Sequence, residues 1–304
     1  MTDALVDIEL EHLPLVWRGK VRNSFTLEGD RLLIVATDRI SAFDVILPSP
    51  LPGKGAVLNR LSCLWFEWAQ HIQPNHYLNT DLTSLPLSDD ERTSLIGRSI
   101  IVQRASRIDV ECVVRGYLAG SAWEEYRSTG TIHGERAPSG LRKGSKLPAP
   151  RFTPARKVDT GHDENISRST LRQLVGSSLA DTLEEQSLAL YLRATEAAER
   201  AGFILADTKF EFGYVGERLT LIDEALTPDS SRYWDVRQVM VGNVPPAFDK
   251  QIVRGWLTDS GWNKQPPAPA LPPAIIAETL RRYQDVERRI RSSMSNDGKV
   301  DDNA

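Results

Sequence analysis

A chain of 304 residues, 40% hydrophobic and 26% charged, is long enough to bury a substantial core and has the composition of an ordinary globular protein. Its formal net charge of −4 and scattered Lys and Arg exclude the basic stripe of a nucleic-acid binder, so an anionic ligand must be met by a few placed cations. No run of eighteen apolar residues occurs and the N-terminus (MTDALVDIELEHL) is acidic, so the expectation is a soluble, cytoplasmic chain with no membrane segment and no signal peptide.

Residues 17–37 read as a hairpin, with VRNSFTL and RLLIVAT as strands and Glu28-Gly29-Asp30 as the turn. Leu58, Leu61, Leu64, Trp65 and Trp68 recur at helical spacing and predict a helix over about 57–72. Strands follow at 99–104 and 109–115, and Ser121-Ala122-Trp123-Glu124 has the pattern of a capping box opening a short helix. A Gly-, Pro- and Lys-rich stretch over 134–151 marks a loop or lobe boundary. A long amphipathic helix over 178–201 stops at Gly202 and feeds the strand FILAD, which runs into a hairpin ending at Glu224. After a helical patch near 247–258, QPPAPALPP is a stiff linker into a last amphipathic helix, 274–293. Cys63 and Cys112 lack CxxC spacing and sit among apolar residues, which reads as two reduced, buried thiols.

This order of elements predicts an α+β architecture: a small antiparallel β lobe packed on a larger α/β lobe, plus a C-terminal helix. The expected division is 1–112 for the β-rich lobe and 113–264 for the larger lobe. Linker and helix occupy 265–294, and 295–304 forms a disordered tail. A cleft between lobes is a common place for a small-molecule site.

Four segments concentrate charge. In the hairpin 207–224, Asp207, Lys209 and Glu211 alternate and therefore share a face. A two-residue turn at Gly216-Glu217 would oppose Glu211 with Ile222, whereas a three-residue loop opposes Glu211 with Asp223; matching like with like favours the second register. Two facing carboxylates repel unless a cation lies between them, and magnesium takes a few carboxylate oxygens with water and phosphate. The alternative is a solvated hairpin face.

Gly19-Lys20-Val21-Arg22 places cations on the first hairpin, either over a triphosphate or simply at a surface. Pro52-Gly53-Lys54-Gly55 is a suggestive turn without the Ser or Thr of a Walker loop. Arg115, ending a strand, and Ser121, at a helix start, together make a phosphate cradle, or else a local pair and a cap. Thr153, Lys157 and the acidic loop with His162, Asp163 and Glu164 suit an amino-acid ammonium or an exposed cap, and a lone His is a weak metal signal. Arg232 adds a cation just beyond the acidic hairpin. Neither GxSxG nor HExxH occurs.

The strings GKVRNSF, VATDRISAFDVILPSPLPGKGAVL, VECVVRGYLAGSAWEEYRSTGTIHG, HDENIS, LADTKFEFG and LIDEALTPDSSRYW, all lying between Trp17 and Trp256, resemble the SAICAR synthetase (phosphoribosylaminoimidazole-succinocarboxamide synthase) family. The resemblance implies an ATP-grasp-like larger lobe and a purine-pathway ligase. Such an enzyme joins the carboxylate of carboxyaminoimidazole ribonucleotide (CAIR) to the amine of L-aspartate, with ATP as co-substrate and Mg²⁺ as cofactor. Carried over by motif, Lys20, Lys209, Glu211 and Asp223 are catalytic. Lys20, Arg22, Lys54, Glu211 and Asp223 serve ATP, and Glu211 and Asp223 hold the metal. Arg115, Ser121, Asp207, Lys209 and Arg232 contact CAIR, and Asp163 and Glu164 the aspartate. Asp38, Arg39, Ser41 and Asp44 also fall in matching runs. Rival readings are a small-molecule kinase and a non-catalytic nucleotide-binding module. No nucleic acid or membrane partner is implied, and the assembly is a monomer or small homo-oligomer.

Overall fold

The computed structural model describes residues 4–158, 163–238, 247–248 and 250–297. The first part of the chain is a meander. Strands β1 (Leu15–Arg18), β2 (Arg22–Leu27) and β3 (Arg31–Ala36) precede two short strands, β4 (Ser41–Ala42) and β5 (Val45–Ile46), and helix α1 (Lys54–Ala69). Strand β6 (Tyr77–Asn79), helix α2 (Asp89–Leu95) and strand β7 (Ser99–Gln103) complete it. An antiparallel five-stranded sheet results, in the order β1-β2-β3-β7-β6. β2 alternates half-buried and buried residues, as a strand with one face on a core must. Phe25, Leu27, Leu33, Val35 and Ile101 build that core with Leu10 and Leu13.

α1 begins at Lys54, three residues before the predicted start, because Gly53 takes the left-handed φ of 86° that turns the chain into the helix. Gly55 then passes so close to β3 that a Cβ would lie 2.3 Å from the Ala36 carbonyl oxygen, and its N–H donates to buried Asp38. Pro52-Gly53-Lys54-Gly55 is thus a helix entry pressed against a strand. The capping box in this structure is at Ser88 and Glu91, on α2.

Strand β8 (Ser106–Tyr117) runs without a break through Cys112 and Val113, across the expected lobe boundary. Helix α3 (Gly120–Thr129), the short β9 (Thr131–Ile132) and β10 (Glu135–Arg136), β11 (Lys146–Phe152), β12 (Ala155–Arg156) and β13 (Glu164–Asn165) follow. Helices α4 (Arg168–Val175) and α5 (Ser177–Arg200) lead to β14 (Phe203–Val215), β15 (Arg218–Ile222) and β16 (Ser231–Asp235). The second sheet is antiparallel and seven-stranded, with β8 and β14 central, β15, β12 and β13 flanking, and β11 and β16 paired to β8 and β14. Antiparallel sheets with separate helices make the fold α+β, as expected. One face of the sheet packs Cys112, Leu205, Phe210 and Phe212 against Leu183, Leu190, Tyr191 and Ala194 of α5. The other face is open and polar. Both cysteines are free and buried, and burial pushes each thiol up to about 12.

α6 (Gln251–Asp259) and α7 (Pro273–Asp297) close the chain. The first residues of the expected tail are helical, since α7 extends to Asp297; the tail beyond it lies outside the described residues. α7 is fastened to α1 by a two-pronged Arg60–Glu287 ion pair at 2.6 and 2.8 Å. It is fastened to the large sheet by Arg289, which donates to the carbonyls of Ala201 and Gly202 and to Asp235, and stacks 3.7 Å from the Phe203 ring. Hydrogen bonds from Arg237, joined by Arg289, hold the Asp235 carboxyl below the usual range despite its burial. Arg289→Met is therefore expected to cost about 2–3 kcal/mol, a melting-temperature loss of roughly 5–10 °C. A depressed carboxyl stabilises the fold above its ordinary value of 3.8 and ceases to do so as pH falls through its folded value. The gap between wild type and variant should hold from neutral pH down to about the ordinary value of 3.8 and narrow steadily as pH falls below it, as thermal melts across pH will show.

Candidate active site

The polar face of the seven-stranded sheet forms the floor of a cleft of about 1950 Å³, roofed by β2, β3 and the Gly19–Arg22 turn of the smaller sheet. Strand alternation supplies the floor. Asp207, Lys209 and Glu211 of β14 line it, as their spacing predicted, and Glu111 and Arg115 of β8 line it beside them. The β8–β14 register sets Asp207 opposite Arg115, Lys209 opposite Val113 and Glu211 opposite Glu111.

The β14–β15 register differs from the one that the matching of like residues favoured. Glu211 opposes Ile222, Phe212 opposes Leu221 and Val215 opposes Arg218, closed by the two-residue turn Gly216-Glu217. Gly216 has φ 59° at the first central position, which suits the twist of a two-residue hairpin, and local turn geometry outweighs side-chain matching. Asp223 lies one residue past the ladder with φ 69°, diagonal to Glu211. The acids that face each other are Glu211 and Glu111, and lysines relieve their repulsion. Lys209 Nζ lies 2.7 Å from Glu111 and 3.0 Å from Glu211, and Lys157 Nζ lies 2.8 Å from Glu211. Burial opposes the charge on Lys209, but Glu211, Glu111 and Asp223 together raise it well above the ordinary lysine value. Burial raises the Glu111 carboxyl, and Lys209 only partly offsets that.

A second cluster sits farther along β8 and β14. Two guanidinium groups share Asp207 Oδ2: Arg232 donates to it, and Arg115 approaches it at 3.5 Å. Arg115 also donates to the hydroxyls of Thr153 at 3.0 Å and Ser121 at 3.3 Å, which aims its fork toward the start of α3. Ser121 is not the cap of that helix; Ala119 is, with no side-chain bond, and α3 starts at Gly120. The serine hydroxyl is thereby left to Arg115. An anion entering here meets two fixed guanidiniums, a hydroxyl and a helix N-terminus.

On the roof, Lys20 is half-exposed and paired with Asp44, and Arg22 reaches down to Asp223 and Glu224, the latter at 3.1 Å. Arg22 and Lys209 lower the Asp223 carboxyl against the effect of burial. Lys54 is 1% exposed, its ammonium lies 2.9 Å from buried Asp229, and it lines a small neighbouring pocket with Arg22, Asp223 and Glu224 instead of the main cleft. As the first residue of α1 it points inward, toward Asp229. Asp163 lines the cleft, whereas Glu164 sits on the exposed edge strand β13 and does not. His162 lies outside the described residues.

Glu111, Lys250 and Asp229 were not on the list of candidates that the segments suggested. Glu111 carries a readable signal, since it shares parity with Arg115 along an apolar strand. Lys250 carries none and Asp229 only its place in the run LIDEALTPDSSRYW, because their pairing with each other and with Lys54 and Tyr283 joins elements far apart in the chain. Among the described residues no group of three or more His, Cys, Asp or Glu side chains gathers to hold a metal ion, so magnesium here would rest on two carboxylates. Glu211 and Asp223 offer hard oxygen donors at one edge of the floor, and such an ion takes its remaining ligands from phosphate and water.

A family profile described as SAICAR synthetase matches residues 15–269. The phosphoribosylaminoimidazole-succinocarboxamide synthase of Leptospira interrogans is 49% identical over 93% of this chain and 99% of its own length. That of Methylibium petroleiphilum is 47% identical over 95% and 98%. Among solved structures, a SAICAR-synthase from Saccharomyces cerevisiae in complex with SAICAR superposes with a TM-score of 0.84 and 38% identity, over 94% of this chain and 98% of that one. A match across most of the chain, on the very strands that build the cleft, means that this protein belongs to the SAICAR synthetase family.

Proposed function

We infer that this chain is an ATP-dependent ligase that joins the carboxylate of CAIR to the amine of L-aspartate, giving SAICAR, ADP and phosphate in purine biosynthesis. One observation supports the assignment of the two ends. A single cleft carries the Arg115–Asp207–Arg232 cluster with Ser121 at one place and the Lys20–Arg22 hairpin over Glu211 and Asp223 at another. The first suits the phosphate of the ribonucleotide and the second the triphosphate of ATP. The five-stranded sheet then serves ATP, and the seven-stranded sheet serves CAIR and the metal. Asp163, at the rim, is our candidate for the aspartate end.

A carboxylate resists attack because its charge repels the amine and oxide is a poor leaving group. Transfer of the γ-phosphoryl group to a carboxylate oxygen releases ADP and leaves an acyl phosphate. The aspartate amine then attacks the carbonyl carbon, the C–O bond to phosphate breaks, and the amine loses a proton. Phosphoryl transfer needs positioning and charge neutralisation more than covalent help. Lys209, anchored between Glu111 and Glu211, points an ammonium at the floor where the CAIR carboxylate must lie. Arg22 and Lys20 offer cations to the phosphates. Magnesium, held by Glu211 and Asp223 when bound, supplies charge neutralisation at the transferring group. Lys157 and Arg22, which satisfy these acids here, are then available to substrate anions.

The assay is ADP release with CAIR present, with and without L-aspartate. Stoichiometric ADP and succinocarboxamide product only with all three substrates is expected. Sustained turnover independent of aspartate would point to a kinase and overturn the ligase reading.

A further inference from the structure

Among the described residues, the interior end of the cleft holds a charge imbalance. Asp229 is buried, with Lys54 Nζ 2.9 Å and Lys250 Nζ 3.0 Å from the same oxygen, Oδ2. Its Oδ1 accepts a hydrogen bond from the Tyr283 hydroxyl of α7 at 2.8 Å. One carboxylate cannot neutralise two lysines, and a buried charge without a full counter-charge is costly. Glu224, which also attracts Lys250, is already engaged by Arg22 and by the Thr227 hydroxyl. The two lysines differ in access. Lys54 is 1% exposed and does not line the cleft, whereas the Lys250 side chain is 12% exposed and lines it together with Ser230, Arg232 and Arg282. Burial, which the attraction of Asp229 fails to offset and the repulsion of Lys54 reinforces, lowers the Lys250 ammonium below the ordinary lysine value. That is the direction of an under-compensated cation.

We propose that Lys250 binds a substrate anion in this cleft, and that Lys54, by holding Asp229, makes the Lys250 ammonium the surplus charge which turns outward to meet it. If neutralising Asp229 were the whole task, one lysine would do it. The ligand is a phosphate or carboxylate oxygen. That chemistry is shared by the CAIR phosphate, the ATP phosphates and the aspartate carboxylates, and separate Michaelis constants tell them apart. The inference rests on the ligase reading and adds a contact that the matching motifs did not suggest. It also gives the C-terminal helix a part in the site, because Tyr283 fixes the carboxylate around which the two lysines are arranged.

The test varies each substrate in turn with the others saturating, for wild type, Lys250→Met, Lys250→Gln and Lys250→Arg. Loss of a charged contact should raise KM for one anionic substrate by about 10- to 100-fold in the Met and Gln variants, with kcat within about threefold. The Arg variant should recover most of that loss. Three Michaelis constants within about twofold of wild type in both neutral variants, or a uniform loss of kcat with no selective KM change, would overturn the proposal. A second arm uses the unaltered enzyme, so that misfolding of a variant cannot leave the question open. Acetylation of Lys250, followed by mass spectrometry, should slow when one of the three substrates saturates the enzyme, and equal labelling under all conditions would refute the role. Wild-type turnover requiring all three substrates is measured in the same preparation. A failure of the ligase reading would appear there, and a failure of the Lys250 proposal only in the variants and the labelling.

Discussion

Glu211→Gln is expected to lower kcat by at least about 100-fold, the size of loss seen when a preorganised charge at a transferring group is removed. Its carboxylate has a side chain only 5% exposed and accepts from both Lys209 and Lys157, so the substitution does more than remove a metal donor. Glu111 alone would then face two ammonium groups, and Lys209 would lose its strongest electrostatic attraction and one of the two carboxylates that fix its position. Apparent magnesium affinity should fall in parallel, which a magnesium titration of the steady-state rate measures. Asp223→Asn should act in the same direction and also loosen Arg22. Near wild-type turnover in both variants would remove the two acids from the metal site.

Arg115→Met is expected to raise KM for CAIR by roughly 30- to 100-fold, since a hydrogen bond to a charged group contributes about 1.5–3 kcal/mol. The residue holds three partners at once, Thr153, Ser121 and Asp207, and is thus presented as a rigid fork. Arg115→Lys should recover only part of the loss, because an ammonium is a point charge without the second prong. kcat should change much less, as the cluster lies away from the Lys209–Glu211 floor. An unchanged KM for CAIR together with a raised KM for ATP would reverse the assignment of the two ends of the cleft.

Several features were legible before any coordinates. Alternation along β14 put Asp207, Lys209 and Glu211 on one face because a strand leaves successive side chains no other choice. Apolar periodicity located α1 and α5 to within a few residues, and the resemblance of whole motifs indicated the family. The register of the β14–β15 hairpin was misjudged for a definite reason. Side-chain matching across a ladder contributes a few tenths of a kcal/mol to about one per pair, whereas a glycine in a two-residue turn sets the backbone outright. The same bias hid Glu111, the acid that does face Glu211, because it comes from a strand roughly a hundred positions earlier in the chain.

By itself, the amino-acid order determined which residues share a strand face, where helices run and which family the chain belongs to, since all of these follow from local spacing and motif identity. Only the tertiary structure decided that Lys54 turns inward while Lys250 lines the cleft, that Arg115 and Arg232 converge on one aspartate, and that Lys209 bridges the facing Glu111 and Glu211. Those outcomes depend on which distant charges are buried together, and the energy of a buried charge is set by its neighbours in space and not by its neighbours in the chain.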